Sequence, residues 1–267
     1  MPILLVCAFL MLPTFAYAET TNLYAAGSLK AALTEVAEAF EKSGAGNVRV
    51  ETTFGPSGLL RERIEKGEAA HVFASADTNH PRRLADQGRS TGQVRIFARN
   101  RLCALVRSGL SVTSERLLDM MLDPQLRLGV STPKADPSGD YAFALFAKAD
   151  KSRAGARAAL ESRALQLTGG PTSEKAPPGR NQYAWVMERG KADLFLTYCT
   201  NAVLANKELP ALQVVQIPAE LNVGADYGMI VLKDAPAAAS ELAQFVLGEH
   251  GQAILARYGF GRGDPAK

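Results

Sequence analysis

Histidine and cysteine are scarce in this chain: 3 of each in 267 residues. His71, His80 and His250 stand apart from one another and from Cys103 and Cys199, which argues against a zinc site and against a thiol nucleophile with an adjacent base. Clustered positive charge is missing too. The formal net charge is +3, and arginine-rich pieces such as Arg61-Glu62-Arg63 carry an acid among them, so no basic stripe for nucleic acid is present. After residue 16 there is no further apolar run of membrane-spanning length, which leaves the remainder reading as a water-soluble body.

One apolar run is present, over residues 3–16, followed by Ala16-Tyr17-Ala18 and the first acid at Glu19. It is too short to span a bilayer comfortably and ends in a small-x-small pattern, so residues 1–18 read as a cleaved signal sequence, although no basic residue precedes the run. Cys7 lies inside the run with no room for an n-region, a poor setting for lipid attachment. The expected location is therefore an oxidising compartment outside the cytoplasm, a bacterial periplasm, where Cys103 and Cys199 stand equally as a disulfide or as two buried thiols.

Strand-like and helix-like segments alternate over most of the remaining length, predicting an α/β protein with largely parallel sheets. Expected strands lie at 22–25, 48–54, 72–74, 102–106, 127–131, 165–167, 192–198, 212–217 and 227–232. Helical spacing marks Leu29, Ala32, Leu33, Val36, Ala37 and Phe40, then Leu59, Leu60 and Ile64, and the stretch from Tyr141 to Ala149. Further helices are expected at 183–188, 203–206 and 237–257. In open α/β sheets ligands bind beyond the carboxyl ends of the strands, where each strand delivers the chain to a helix start.

Four such starts carry small or polar residues: Ala26-Gly27-Ser28-Leu29, Gly55-Pro56-Ser57-Gly58, Asp136-Pro137-Ser138-Gly139 and Pro178-Gly179-Arg180-Asn181. A helix N-terminus has N–H groups without intrahelical partners and holds an oxyanion without a metal. One alone is an ordinary cap; several facing one cleft make a binding site.

Taken in order, these residues resemble the periplasmic molybdate-binding proteins of ABC importers. The resemblance rests on Ala25-Ala26-Gly27-Ser28-Leu29, the Ser57 loop with Ile64-Glu65-Lys66-Gly67, Val72-Phe73-Ala74-Ser75-Ala76-Asp77, and Asp136-Pro137-Ser138-Gly139 followed by Tyr141-Ala142, and it runs on to Arg257-Tyr258-Gly259-Phe260. It implies an α/β, two-lobed periplasmic solute-binding protein of type II, each lobe a mixed, mostly parallel sheet flanked by helices, with hinge strands crossing near 102–106 and 227–231. Lobe 1 would hold 19–100 plus 228–267, and lobe 2 would hold 101–227. Carried over by position, Ser28 and Ser57 give hydroxyls, Ser138 a backbone N–H, Tyr198 its phenol, and Arg180 stands where those receptors place an apolar residue that gives its N–H.

A fully ionised tetrahedral oxyanion accepts hydrogen bonds only, so hydroxyls and N–H groups suit it and carboxylates do not. The implied ligand is molybdate or tungstate, with no cofactor, no metal and no catalysis, and the implied partner is an inner-membrane ABC permease. A monomer is expected. If the Arg180 guanidinium turned inward it would add a bidentate clamp for a phosphorylated or carboxylated metabolite. An enzyme using Ser57 or Ser138 lacks both a G-x-S-x-G setting and a neighbouring histidine, and a ferric receptor lacks the anionic oxygen ligands a hard cation wants. An adhesin or sensor built on the same fold stays open.

Overall fold

The computed structural model describes residues 19–44 and 48–264; the signal-sequence reading falls outside the described residues. The described residues begin with β1 (Glu19–Ala26), a 3-10 turn (Gly27–Leu29) and α1 (Lys30–Lys42). The expected helical spacing is real: Leu29, Ala32, Leu33, Val36, Ala37 and Phe40 are all buried. Removing each of the larger side chains from water contributes about 1.5–3 kcal/mol, which fixes which face of α1 lies on the sheet.

Next come β2 (Val48–Gly55), α2 (Ser57–Glu65), β3 (Val72–Ala74) and α3 (Asn79–Asp86). Strand β1 pairs in parallel with both β2 and β3, so three carboxyl ends meet at one edge of the sheet. Strand β4 (Arg95–Val106) is much longer than the expected 102–106. Its first half, Arg95–Arg101, pairs antiparallel with β9 (Gly224–Val231), which also pairs with β3. Its second half, Leu102–Val106, pairs antiparallel with β7 (Leu194–Tyr198) and β8 (Gln213–Gln216). One strand thus belongs to two groups of strands, changing partners between Arg101 and Leu102.

The second group is reached through α4 (Leu117–Leu122), β5 (Leu128–Ser131), α5 (Pro137–Ser152), α6 (Ala156–Arg163) and β6 (Leu165–Thr168). Strand β5 pairs in parallel with β6 and β7. Helix α7 (Gln182–Glu188) and α8 (Cys199–Glu208) cover this group, and α9 (Ala237–Leu247), α10 (Glu249–Arg257) and β10 (Gly261–Arg262) return to the first. Together the described strands form a mixed 10-stranded sheet in the order β2-β1-β3-β9-β4-β7-β5-β6, with β8 and β10 pairing β4 beside that path.

Several segments differ from expectation. The helix expected at 203–206 begins at Cys199, directly after β7, because Tyr198 ends the strand in an extended conformation and acts as N-cap. The single helix expected over 237–257 breaks at Gly248, whose extended backbone ends α9 and starts α10; periodicity alone does not register a one-residue break. The fourth predicted helix start moves past Arg180, since Asn181 is the cap and its side chain accepts from the N–H groups of Tyr183 and Ala184. Helices α3 and α4, short and largely polar or half-exposed, carry too little pattern to be read. Cys103 of β4 and Cys199 at the start of α8 form a disulfide, settling the alternative left open in the sequence.

Candidate functional site

Register explains why Ser28 and Ser57 meet. Ala26 of β1 pairs with Gly55 of β2, and each serine lies two residues beyond its paired residue, at the same sheet edge. Ser57 is fully buried and its Oγ accepts the Ala76 N–H at 3.1 Å, so Ser75-Ala76-Asp77 after β3 is drawn to the same place and the serine proton faces away from that bond. Ser28 is half-buried, with its Oγ 3.0 Å from the Tyr227 hydroxyl of β9. With Tyr227 as the donor, the Ser28 proton is also available.

Opposite stands the edge of the second group, where the pairing Ser131 to Thr168 aligns the ends of β5 and β6. Between the two edges lies a cavity of about 970 Å³. Ser28, Ser57, Arg180 and Tyr198 line it, together with Asp136 and the turn Thr168-Gly169-Gly170. Ser138 does not line it. That serine is fully buried, its Oγ has no hydrogen-bond partner, and its N–H, the group expected to face the anion, donates to Asp136 Oδ1 at 3.0 Å.

Tyr198 ends β7 almost wholly buried and donates its phenol to the Ala76 carbonyl at 3.1 Å, tying the second group of strands to the first. Burial, with Tyr227 and Tyr141 beside it, raises its phenol well above the usual value, so it stays protonated and remains a donor. Arg180 has its side chain on the rim. Its Nε donates to Glu208 and its Nη2 to Glu188, both at 2.7 Å, and its backbone N–H donates to the Pro177 carbonyl. Of the two orientations open to Arg180 the inward clamp is not formed: two carboxylates on α7 and α8 draw the guanidinium to them.

In the sequence Asp136 stands out only as part of a helix start. It caps α5, but it also faces the cavity, and burial pushes its carboxyl up to about 6 despite the Ser138 N–H that stabilises the charged form. Gly169 makes room for it: with φ +76°, a Cβ there would lie 2.5 Å from Asp136 Oδ2. Gly169 is thus the bed of that carboxyl group. Tyr183 also lines the cavity, its phenol pushed up to about 12 by burial.

At one edge the two groups of strands touch. Gly58 donates its N–H to the Ala135 carbonyl at 2.9 Å, and a Cβ on Gly58 would lie 2.2 Å from the Lys134 carbonyl oxygen. No cluster of three or more His, Cys, Asp or Glu side chains suited to a metal occurs among the described residues. The cavity therefore presents two serine hydroxyls at fixed positions, a protonated phenol, and a carboxyl on the facing side.

This arrangement has relatives. An uncharacterised protein of Pasteurella multocida is 42% identical over 208 residues, covering 77% of this chain and 84% of that one. The molybdate-binding protein ModA of Mycobacterium tuberculosis is 26% identical over 250 residues, covering 92% of this chain and 85% of its own. Among solved structures, L-phospholactate-bound PEB3, a protein of Campylobacter jejuni, superposes with a TM-score of 0.69 at 16% identity, over 91% of this chain and 99% of PEB3. The fold is thus the α/β periplasmic-binding-protein fold of type II solute receptors. The family model for bacterial extracellular solute-binding proteins matches residues 21–261, and the chain belongs to that family.

Proposed function

We propose that this protein captures an oxyanion group in the cavity between two lobes, 19–100 with 228–267 and 101–227, which hinge at β4 and β9. The carrying observation is the β1–β2 register, which sets the hydroxyls of Ser28 and Ser57 at one edge of the cleft. The phenol of Tyr198 adds a donor from the other side if it exchanges the Ala76 carbonyl for ligand. The sheet edge, the helix starts and the neutral donors together make a site that holds negative charge without a metal.

Free molybdate or tungstate is the reading that the positional match of Ser28 and Ser57 and the mycobacterial relative support. A second reading has its own support: about 970 Å³ is far more room than one tetrahedral anion fills and is the size of a site for an organic ligand. On that reading the oxyanion is the head of a phosphorylated or carboxylated solute, as in the phospholactate-bound neighbour. In either case the receptor would be exported by its signal sequence, load as a monomer in the periplasm, and deliver its ligand to an ABC permease.

A thermal-shift panel of molybdate, tungstate, sulfate, phosphate and phosphorylated three-carbon acids tests this directly. A ligand at 100 times its dissociation constant stabilises the folded state by about 2.7 kcal/mol. Ser57→Ala is expected to abolish most of that shift and, because it also removes the acceptor of the buried Ala76 N–H, to lower the unliganded melting point as well. A panel in which no anion raises the melting point, or in which Ser57→Ala keeps the full shift, ends the proposal.

A further inference from the structure

Asp136 is the feature of the cavity that an all-donor anion site does not explain. As a helix cap it needs no charge, since Asn and Ser cap as well. It is nevertheless a carboxyl group, placed on the cavity wall, and Gly169 leaves the space that its Oδ2 occupies. None of the ion pairs among the described residues includes it. A carboxylate facing a proton-free tetrahedral anion sets acceptor against acceptor, and like charges so juxtaposed repel.

We propose that Asp136 sets the ligand class: the cavity takes an oxyanion that keeps a proton or carries a hydroxyl beside its charge, and Asp136 accepts that hydrogen. The inference rests on the anion site between the lobes and chooses within it, favouring phosphate-like and hydroxylated phosphate ligands over molybdate, tungstate and sulfate. Serines 28 and 57 then serve the acceptor oxygens on one side while the carboxylate serves the donor on the other.

Protonation of Asp136 would reverse the preference, because a neutral carboxyl donates. Burial brings that titration up to about 6. The groups around it are Asp140 on its own helix, Tyr183 on α7, Tyr198 on β7 and Tyr227 on β9. Glu174, Lys175 and Arg180 lie on the cavity-lining loop, and Lys30 and Arg63 come from the facing edge. The tyrosines stay neutral, Arg180 is held by Glu188 and Glu208, and Arg63 is held by Glu68.

The test is calorimetry on the full mature chain at pH 7.5 with inorganic phosphate and glycerol 3-phosphate in one arm and sulfate and molybdate in the other. The expected result is that at least one ligand of the first arm binds about tenfold more tightly than either of the second. Glycerol 3-phosphate winning over phosphate assigns the hydrogen to a hydroxyl; phosphate winning over glycerol 3-phosphate assigns it to the oxyanion. Asp136→Asn keeps the cap and supplies a donor, so it should erase or invert the ratio, with Asp136→Ser as a second cap-preserving variant should the first fold poorly. Sulfate affinity should rise on acidification to pH 5 in the unaltered protein and stay flat in Asp136→Asn. Tighter binding of molybdate or sulfate at pH 7.5, or an unchanged ratio in both variants, overturns the role of Asp136 with the anion site intact. If no anion of either arm binds any variant, both this inference and the site beneath it fall together.

Discussion

The edge formed by β1, β2 and α2 meets the cavity with serine hydroxyls fixed by strand register, whereas the edge formed by β5, β6 and α7 meets it with charged groups that mostly have partners already. Each edge is a set of strands feeding helix starts, yet they handle charge differently. On the first, Ser57 is held by one backbone N–H from the neighbouring turn. On the second, Asp136 takes the Ser138 N–H and Glu208 takes the Arg180 side chain and the Asn181 N–H. A helix start is therefore open to a ligand only where its own cap has not consumed the donors. Family likeness transfers the position of a loop but not the bookkeeping of its hydrogen bonds.

The largest effect should come from the place where the two edges touch. Gly58 sits in the first turn of α2, where alanine is by itself the better helix former, so Gly58→Ala costs the helix itself nothing. Across the cleft, however, its Cβ would run into the Lys134 carbonyl at 2.2 Å and forbid the approach that lets Gly58 N–H reach Ala135. Ligand affinity should fall by about a hundredfold, equivalent to about 2.7 kcal/mol, and the liganded protein should stay expanded in small-angle scattering. Unchanged affinity would show that the contact is incidental and that the edges act independently.

The same contrast says what could be read in advance. Local patterns carried far: the buried face of α1, the strands β2, β3, β5 and β7, and the serines 28 and 57 all announce themselves within a dozen residues. The partner change of β4 at Arg101 and Leu102 could not, because a strand's neighbours are chosen by segments 88 to 134 residues away. Asp136 was legible as a cap and illegible as a cavity group, since its setting depends on the positive φ of Gly169 in another loop. The direction of the Arg180 side chain was left open by the sequence because Glu208 approaches it only through the packing of α8 beside α7. The disulfide was undecidable for the same reason: 96 residues separate the two cysteines, and only the antiparallel pairing of β4 with β7 brings them together.

A middle-sized effect should separate the two groups of strands by their response to acid. In the second group the buried Asp193 carboxylate receives Arg127 and Arg107, and those guanidinium groups hold it down to about 2 from its ordinary 3.8. A carboxyl whose folded value is depressed stabilises the fold above the unfolded value and loses that contribution as pH falls through the folded one. The contribution, about 2 kcal/mol, should thus be complete above pH 4 and vanish toward pH 2. Urea titrations of the unaltered protein and of Asp193→Asn should converge at pH 2 and differ by that amount at pH 6. A difference that persists at pH 2 would assign the effect to packing and remove the asymmetry between the two groups.

The smallest effect belongs to the residue that the sequence made most prominent. Arg180 lines the cavity, but its guanidinium is shared between Glu188 and Glu208 on the rim, with roughly a third of the side chain exposed to solvent that screens the pairs. An arginine so placed has its hydrogen donors occupied and its charge offset by two carboxylates, leaving little to offer a ligand deeper in the cleft. Arg180→Ala should therefore change affinity for any anion in the panel by no more than about twofold, in contrast to Ser57→Ala on the facing edge. Pairing it with Glu208→Gln sharpens the comparison: freeing Arg180 from one carboxylate releases a cation beside the cavity and should tighten binding, and the gain should vanish when Arg180 is also replaced. If instead Arg180→Ala alone abolished binding, the guanidinium would have to leave both carboxylates for the ligand, and the second edge would prove to be the one that recognises charge.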